Sequence, residues 1–158
     1  MYIHLIRSDL PTELDAACAR VMRTCACESS RRSARALTQH YEEALAPSGV
    51  GSAQLPILVA LARHGPVRLT PLADALGVER TTLTRNLRGL QERSLVEVGS
   101  GEDRRTRVAA LTSAGVAALR DALARWEQAQ AAVEQRFGRE RLRTVVGELA
   151  ALDQAVRT

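Results

Sequence analysis

The sequence predicts a mainly α fold with a small β-wing, and three observations predict it. Apolar residues recur at helical spacing through most of the chain. Two short β-prone runs, residues 95–98 and 107–111, flank a glycine-bearing loop. Glycine or proline punctuates most changes of period. With 158 residues, 46% of them apolar, the chain can build one compact lobe and carry further helices.

Residues 12–46 contain neither glycine nor proline, and Pro47-Ser48-Gly49 ends that run. Leu37, Tyr41, Ala44 and Leu45 give its second part an apolar face, and Ser29 or Ser30 is the expected cap between a short leading helix and a longer one. Residues 54–63, with Leu55, Leu58, Val59 and Leu61 or Ala62, read as the next helix, stopped by His64-Gly65-Pro66. Val67-Arg68-Leu69 is expected as a third strand beside the hairpin.

A short helix then starts at Thr70-Pro71, where a threonine oxygen can accept an orphan N–H and proline is harmless in the first turn. Asp74 suits the positive end of the dipole, Gly77 supplies a left-handed stop, and Leu72, Ala73 and Leu76 share the packed face. After a sharp turn a second helix runs from Glu79 to about Arg93, with Leu83, Leu87 and Leu90 on its inward stripe. Successive residues rotate by about 100°, which puts Thr81, Arg85 and Arg88 on the opposite face, flanked by Thr82 and Thr84.

Such a face suits DNA: guanidinium groups bond guanine edges or clamp phosphates, and threonines reach phosphates or thymine methyls. On one helix it would equally suit solvent. The hairpin that follows tips the reading, because Gly99 and Gly101 turn its loop and Arg104 and Arg105 project from the far side, able to lie against a minor groove. Asp103 is placed to orient one of those arginines.

From Thr112, a natural cap, Val116, Leu119, Leu123, Trp126, Val133 and Phe137 recur at alternating three and four, with Gln130 at the one polar seam position. Gly138 closes that helix; Leu142, Val145, Val146, Leu149, Leu152 and Val156 stripe a last one. These seams exceed what a winged lobe covers, which argues for burial against a second copy, the alternative being an intramolecular helical hairpin. The organisation expected is therefore N-terminal helices over residues 1–50, for dimerisation and a possible sensing role, a winged helix-turn-helix lobe over residues 51–112, and C-terminal dimerisation helices over residues 113–158.

Five blocks of sequence carry a family resemblance: Leu72-Ala73-Asp74-Ala75-Leu76-Gly77-Val78, Arg80-Thr81-Thr82-Leu83-Thr84-Arg85-Asn86-Leu87, Leu95-Val96, Asp103-Arg104-Arg105, and Leu111-Thr112-Ser113-Ala114-Gly115. By these the chain resembles the multiple-antibiotic-resistance regulator (MarR) family of winged helix-turn-helix transcription factors. The resemblance implies a homodimer that straddles a pseudo-palindromic operator in double-stranded DNA, most often as a repressor. Thr81, Thr82, Thr84 and Arg85 then match the groove-facing helix, and Arg104 and Arg105 the wing tip. It also implies a small aromatic acid or phenol as effector, for which Arg35, His40, Tyr41 and Arg63 are candidate contacts.

Composition agrees. A net charge of +4 and a pI near 9.6 favour an anionic partner, and all 22 basic residues are arginine. Aromatic residues are only 3% and do not interleave with basic clusters, which disfavours readers of single strands. No stretch approaches the roughly 20 apolar residues of a membrane span, and residues 2–6 are too short for a signal peptide, so a cytoplasmic location and no membrane partner are expected.

Cys25-Ala26-Cys27 with Cys18 seven residues earlier makes an odd count, which argues against a disulfide framework. On a continuous helix Cys18 and Cys25 would share a face about 10 Å apart, beyond bridging, while Cys25 and Cys27 would point apart. The three are candidates for a thiol or soft-metal sensor, with Arg23, Arg31 and Arg32 near enough in sequence to favour thiolates; the alternative is small apolar filler. His4, His40 and His64 are too dispersed for a zinc site. The chain has no phosphate loop, nucleophile elbow or paired histidine–glutamate motif, and its cysteines lack the thioredoxin-like spacing, so neither catalysis nor a cofactor is expected. A DNA-binding regulator released by a small effector or a thiol or metal signal is the leading expectation. A thiol- or soft-metal-handling protein and a winged-helix protein-interaction adaptor are the alternatives.

Overall fold

The structure, a computed structural model, describes residues 10–101 and 106–156. Its elements run α1 (Thr12–Thr24), α2 (Ala26–Leu45), a 3-10 turn (Ala46–Ser48), α3 (Leu55–His64), β1 (Val67–Arg68), α4 (Leu69–Leu76), α5 (Arg80–Glu92), β2 (Val96–Ser100), β3 (Arg107–Leu111), α6 (Ser113–Phe137) and α7 (Arg139–Ala155). The chain divides into two compact units, Met1–Gln39 and His40–Thr158.

In the first unit α1 carries acids in its first turn, Glu13 and Asp15, and Arg23 in its last, as the helix dipole favours. The expected cap at Ser29 or Ser30 is not found. The chain breaks earlier, at Cys25, whose φ of −70° and ψ of 106° are extended, and both serines lie inside α2. Cys25 N–H still donates to the Val21 carbonyl (2.9 Å) and its own carbonyl accepts from Ser29 N–H (3.1 Å), so one residue separates two otherwise continuous ladders. Thr24 Oγ1 donates back to the Arg20 carbonyl at 2.9 Å, a bond that competes with the ladder and bends helix ends.

In the second unit the leucines of α3, α4 and α5 converge on one core: Leu58, Leu83 and Leu90 are fully buried, with Leu61, Leu72 and Leu87 beside them. A three-stranded antiparallel sheet in the order β1-β3-β2 covers one side, with Val67 opposite Ala109, Val96 opposite Leu111 and Ser100 opposite Arg107. Two boundaries differ from expectation. Leu69 is buried and already helical, because the β1–β3 pairing ends with the Arg68–Val108 pair and leaves it no strand partner. As a result α4 begins one residue early, Arg68 occupies the cap position without a side-chain bond, and Thr70 lies inside the first turn. Pro71 is accommodated there because first-turn N–H groups lack intrahelical acceptors.

Gly77, at φ 63°, ends α4 by giving its N–H to the Ala73 and Asp74 carbonyls. The turn out of α5 needs the same region at Ser94, φ 57°, which carries the chain into β2. Thr112 caps α6 by accepting from Gly115 N–H at 2.9 Å, and its hydroxyl donates to the Ser94 carbonyl at 2.8 Å. Gly115 is buried against that junction; a Cβ there would overlap the Leu95 carbonyl oxygen and press on Leu111 Cδ1 at 2.8 Å. Within the chain α6 buries Gly115, Leu119, Ala122 and Ala129, so of the predicted seam only Leu119 is fully covered. Val133 is half-buried, and Val116, Leu123, Trp126 and Phe137 stay exposed.

Candidate nucleic-acid interface

Three leucines, Leu83, Leu87 and Leu90, lock the orientation of α5 by burying one stripe of it, and that fixes what the other stripe presents. Thr81, Thr84, Arg85 and Arg88 are exposed and Thr82 is half-buried. They differ in what they can offer. Arg85 has no ion pair or hydrogen-bond partner among the described residues, leaving all its donors for a ligand. Arg88 Nε holds Glu92 at 3.0 Å, a surface pair in which both side chains are mostly exposed, so it can be exchanged for a phosphate at little cost.

Thr84 Oγ1 donates to the Arg80 carbonyl at 2.8 Å, so its methyl and lone pairs face outward while its proton is engaged. The Thr82 carbonyl accepts from Asn86 Nδ2 at 3.1 Å. The N-cap, Glu79, makes no side-chain cap, which leaves the first N–H groups of α5 unpaired and the end of the helix electropositive. The wing-tip residues Arg104 and Arg105 lie outside the described residues; the strands that lead to them are in place up to Gly101 and from Thr106.

A second basic feature escaped the sequence reading. Arg68 at the end of β1, Arg80 opening α5 and Arg107 opening β3 line one cleft of about 340 Å³, together with Thr70 and Thr106. They are dispersed in sequence, and only the β1–β3 register brings Arg68 beside the root of the hairpin. The one available signal was that each sits at an element boundary.

Arg35, in the first unit, pairs with Glu28 at 3.4 Å, and Arg63 is exposed on α3. His40 Nε2 lies 3.1 Å from the Ala129 carbonyl, and Tyr41 OH donates to Gln130 Oε1 at 2.5 Å, so both are committed to α6. Burial, and then the charge of Glu134, raises the Tyr41 pKa above its ordinary value of 10.0. Cys18 and Cys27 are exposed, Cys25 is half-buried, and all three are free thiols. Because Cys25 lies outside both helices, the shared helical face expected for Cys18 and Cys25 is not formed. Among the described residues no three His, Cys, Asp or Glu side chains are grouped to hold a metal ion, and no helix is long and apolar enough to cross a membrane.

Comparison with known proteins places this geometry. The sequence profile of the MarR family matches residues 48–106, from the end of the 3-10 turn to the root of the hairpin. The transcriptional regulator MosR of M. tuberculosis, solved in complex with DNA, is 39% identical over 85% of this chain and 100% of that one, with a TM-score of 0.75. An uncharacterised HTH-type transcriptional regulator of Bacillus subtilis (strain 168), YwoH, is 35% identical over 81 residues; the match spans 51% of this chain and only 59% of that relative. The repressor CouR, bound to a 23-mer DNA duplex, shares the fold at 22% identity and a TM-score of 0.76, covering 85% of this chain and 95% of that one.

Proposed function

The chain belongs to the MarR family of transcriptional regulators, proteins that are not enzymes, and on that premise we propose that it is a sequence-specific binder of double-stranded DNA acting as a cytoplasmic homodimer, by default a repressor. The observation that carries this is the outward face of α5, where Arg85 stands unpaired between Thr81, Thr84 and Arg88 on a helix fixed by three buried leucines. The likeness to a regulator solved with DNA supports it. Dimerisation is supported by the apolar side chains that α6 and α7 leave uncovered in a single copy, Trp126, Phe137, Val146 and Leu149 among them. Arg104 and Arg105 complete the reading as contacts to a flanking minor groove.

For release from DNA the thiols are the better-supported trigger. Cys25 occupies the single extended residue between two helices with Cys27 two residues on, whereas Arg35 is paired with Glu28, and His40 and Tyr41 are bonded to α6. Oxidation joining Cys25 to Cys27 would re-set the angle between α1 and α2, and a soft metal ion would need thiols from both copies.

One experiment tests the whole. Duplexes selected from a random pool by the wild-type protein should contain two half-sites about 10 bp apart and lose affinity steeply with salt. Arg85→Ala should cost about 1–3 kcal/mol and relax the preference at one position of each half-site. Oxidant should release the wild type but not a Cys25→Ser/Cys27→Ser variant. A pool that yields no common sequence sinks the DNA reading; release of the double variant by oxidant sinks only the trigger.

A further inference from the structure

The cleft between Arg68, Arg80 and Arg107 gathers three guanidinium groups from three different elements, and no carboxylate lines it among the described residues. Among the described residues none of the three makes an ion pair, and their one side-chain polar contact is a long bond from Arg107 to the Val98 carbonyl, at 3.4 Å. Three exposed like charges around one opening raise the local positive potential and favour an anion there. The first turn of α4 forms another wall through Thr70, and that helix has no side-chain cap, so its unpaired N–H groups add to the positive potential.

Position identifies the anion. On one side the cleft is bounded by Arg80, the first residue of the helix whose outer face carries Arg85; on the other by Thr106 and Arg107, at the root of the hairpin. A duplex strand passing from the groove read by α5 toward the groove beside the hairpin must run its backbone across this opening. Guanidinium groups bind phosphate oxygens bidentately, and three of them around one space match a tetrahedral anion better than a base edge.

We infer that Arg68, Arg80 and Arg107 together clamp a single backbone phosphate of bound duplex DNA, positioning the protein on the strand between the two grooves. This rests on the DNA-binding reading above, and the experiment separates the two. The affinity of the wild-type protein for its selected duplex is measured against salt, beside an Arg68→Ala/Arg80→Ala/Arg107→Ala variant whose helicity and melting are checked first. One shared phosphate predicts a slope of log affinity on log salt that is shallower by about 0.9 per protomer, with the preferred sequence unchanged. An unchanged slope overturns the inference while leaving DNA binding intact. A change near 2.7 per protomer means three separate phosphates and also overturns it.

A second measurement holds even if the triple variant folds poorly. Neutral methylphosphonates are stepped along the duplex against wild type and the single variant Arg80→Ala. One position per half-site should weaken the wild type and have a smaller effect on the variant; no such position refutes the clamp. Saturable binding of inorganic phosphate that duplex fails to displace would make the cleft a free-anion site and refute it as well. A wild type that binds no duplex brings down both readings.

Discussion

The winged lobe and the C-terminal helices dispose of their apolar residues in opposite ways. In the lobe Leu58, Leu83 and Leu90 are completely buried, whereas α7 buries nothing, with Val146 59%, Leu149 47% and Val156 72% exposed. Both regions carry amphipathic helices, so pattern alone does not distinguish them. The difference is that the lobe supplies its own partner surfaces, three helices and a sheet, while α7 meets little beyond α6. A helix in water owes most of its stability to packing of its apolar face. The lobe therefore rests on its own buried core, and the C-terminal pair leaves an apolar stripe for the second copy proposed above.

The largest effect that would sharpen this contrast is in the lobe. Leu83→Ala, at a fully buried site, should cost about 2–5 kcal/mol, read from the urea midpoint. Leu149→Ala, measured at protein concentrations low enough to dissociate the proposed dimer, should stay within about 0.5 kcal/mol of the wild type. Equal losses would break the contrast.

Next comes the stripe itself. Val146→Glu with Leu149→Glu should leave the thermal unfolding of the dissociated chain almost unchanged but yield single chains in sedimentation equilibrium. Duplex affinity should then fall by about 10²-fold or more, because two half-sites are no longer engaged together. A doubly substituted chain that still sediments as a dimer would show that α7 is not the contact surface.

Where lobe and C-terminal helices join, the expected effect is smaller. Gly115 has a negative φ, so it is required by close approach rather than by backbone conformation. Gly115→Ala should cost about 1–3 kcal/mol by overpacking against Leu95 and Leu111, and should weaken DNA binding more than its stability loss explains, since the shift falls where α5 hands the chain to β2 and α6. A loss confined to stability would mean that this junction does not transmit orientation to α5.

Much of this was legible in the sequence, for physical reasons that also mark the limits. The leucine stripe of α5 was readable because burial imposes a helical period, and Gly77 and Gly138 because left-handed stops demand glycine. The break at Cys25 was not readable: it depends on one residue's ψ and a threonine bonding backward, while Ser29 and Ser30 offered a stronger but unused cap signal. Nor was the face that α6 turns inward, since glycine and alanine at 115, 122 and 129 bury by proximity and leave little trace in a hydrophobic pattern. Within the candidate site, Arg85 followed from periodicity along one helix. The Arg68–Arg80–Arg107 cleft needed strand register, a long-range property that no local window contains.

The smallest effect concerns the polar tie that holds α6 to the end of α2. Tyr41 OH donates to Gln130, Gln130 Nε2 to Glu134 at 3.4 Å, and Glu134 holds Arg139 at 2.8 Å, so the tie reaches the start of α7. Burial, and then the Glu134 charge, raises the Tyr41 pKa, so the unfolded chain loses its phenolic proton first as pH rises through about 10. From there to the higher folded value the unfolded state binds fewer protons, and stability must fall with rising pH. The absence of lysine from the chain makes this readable. Between pH 9.5 and pH 11, on the order of the window the tyrosine reference value sets, the unfolding free energy of the wild type should decline more steeply than that of Tyr41→Phe. Tyr2 contributes equally to both proteins and cancels. Parallel alkaline slopes would mean that Tyr41 is as free as a tyrosine in water, and that α6 is fastened to α2 by packing alone.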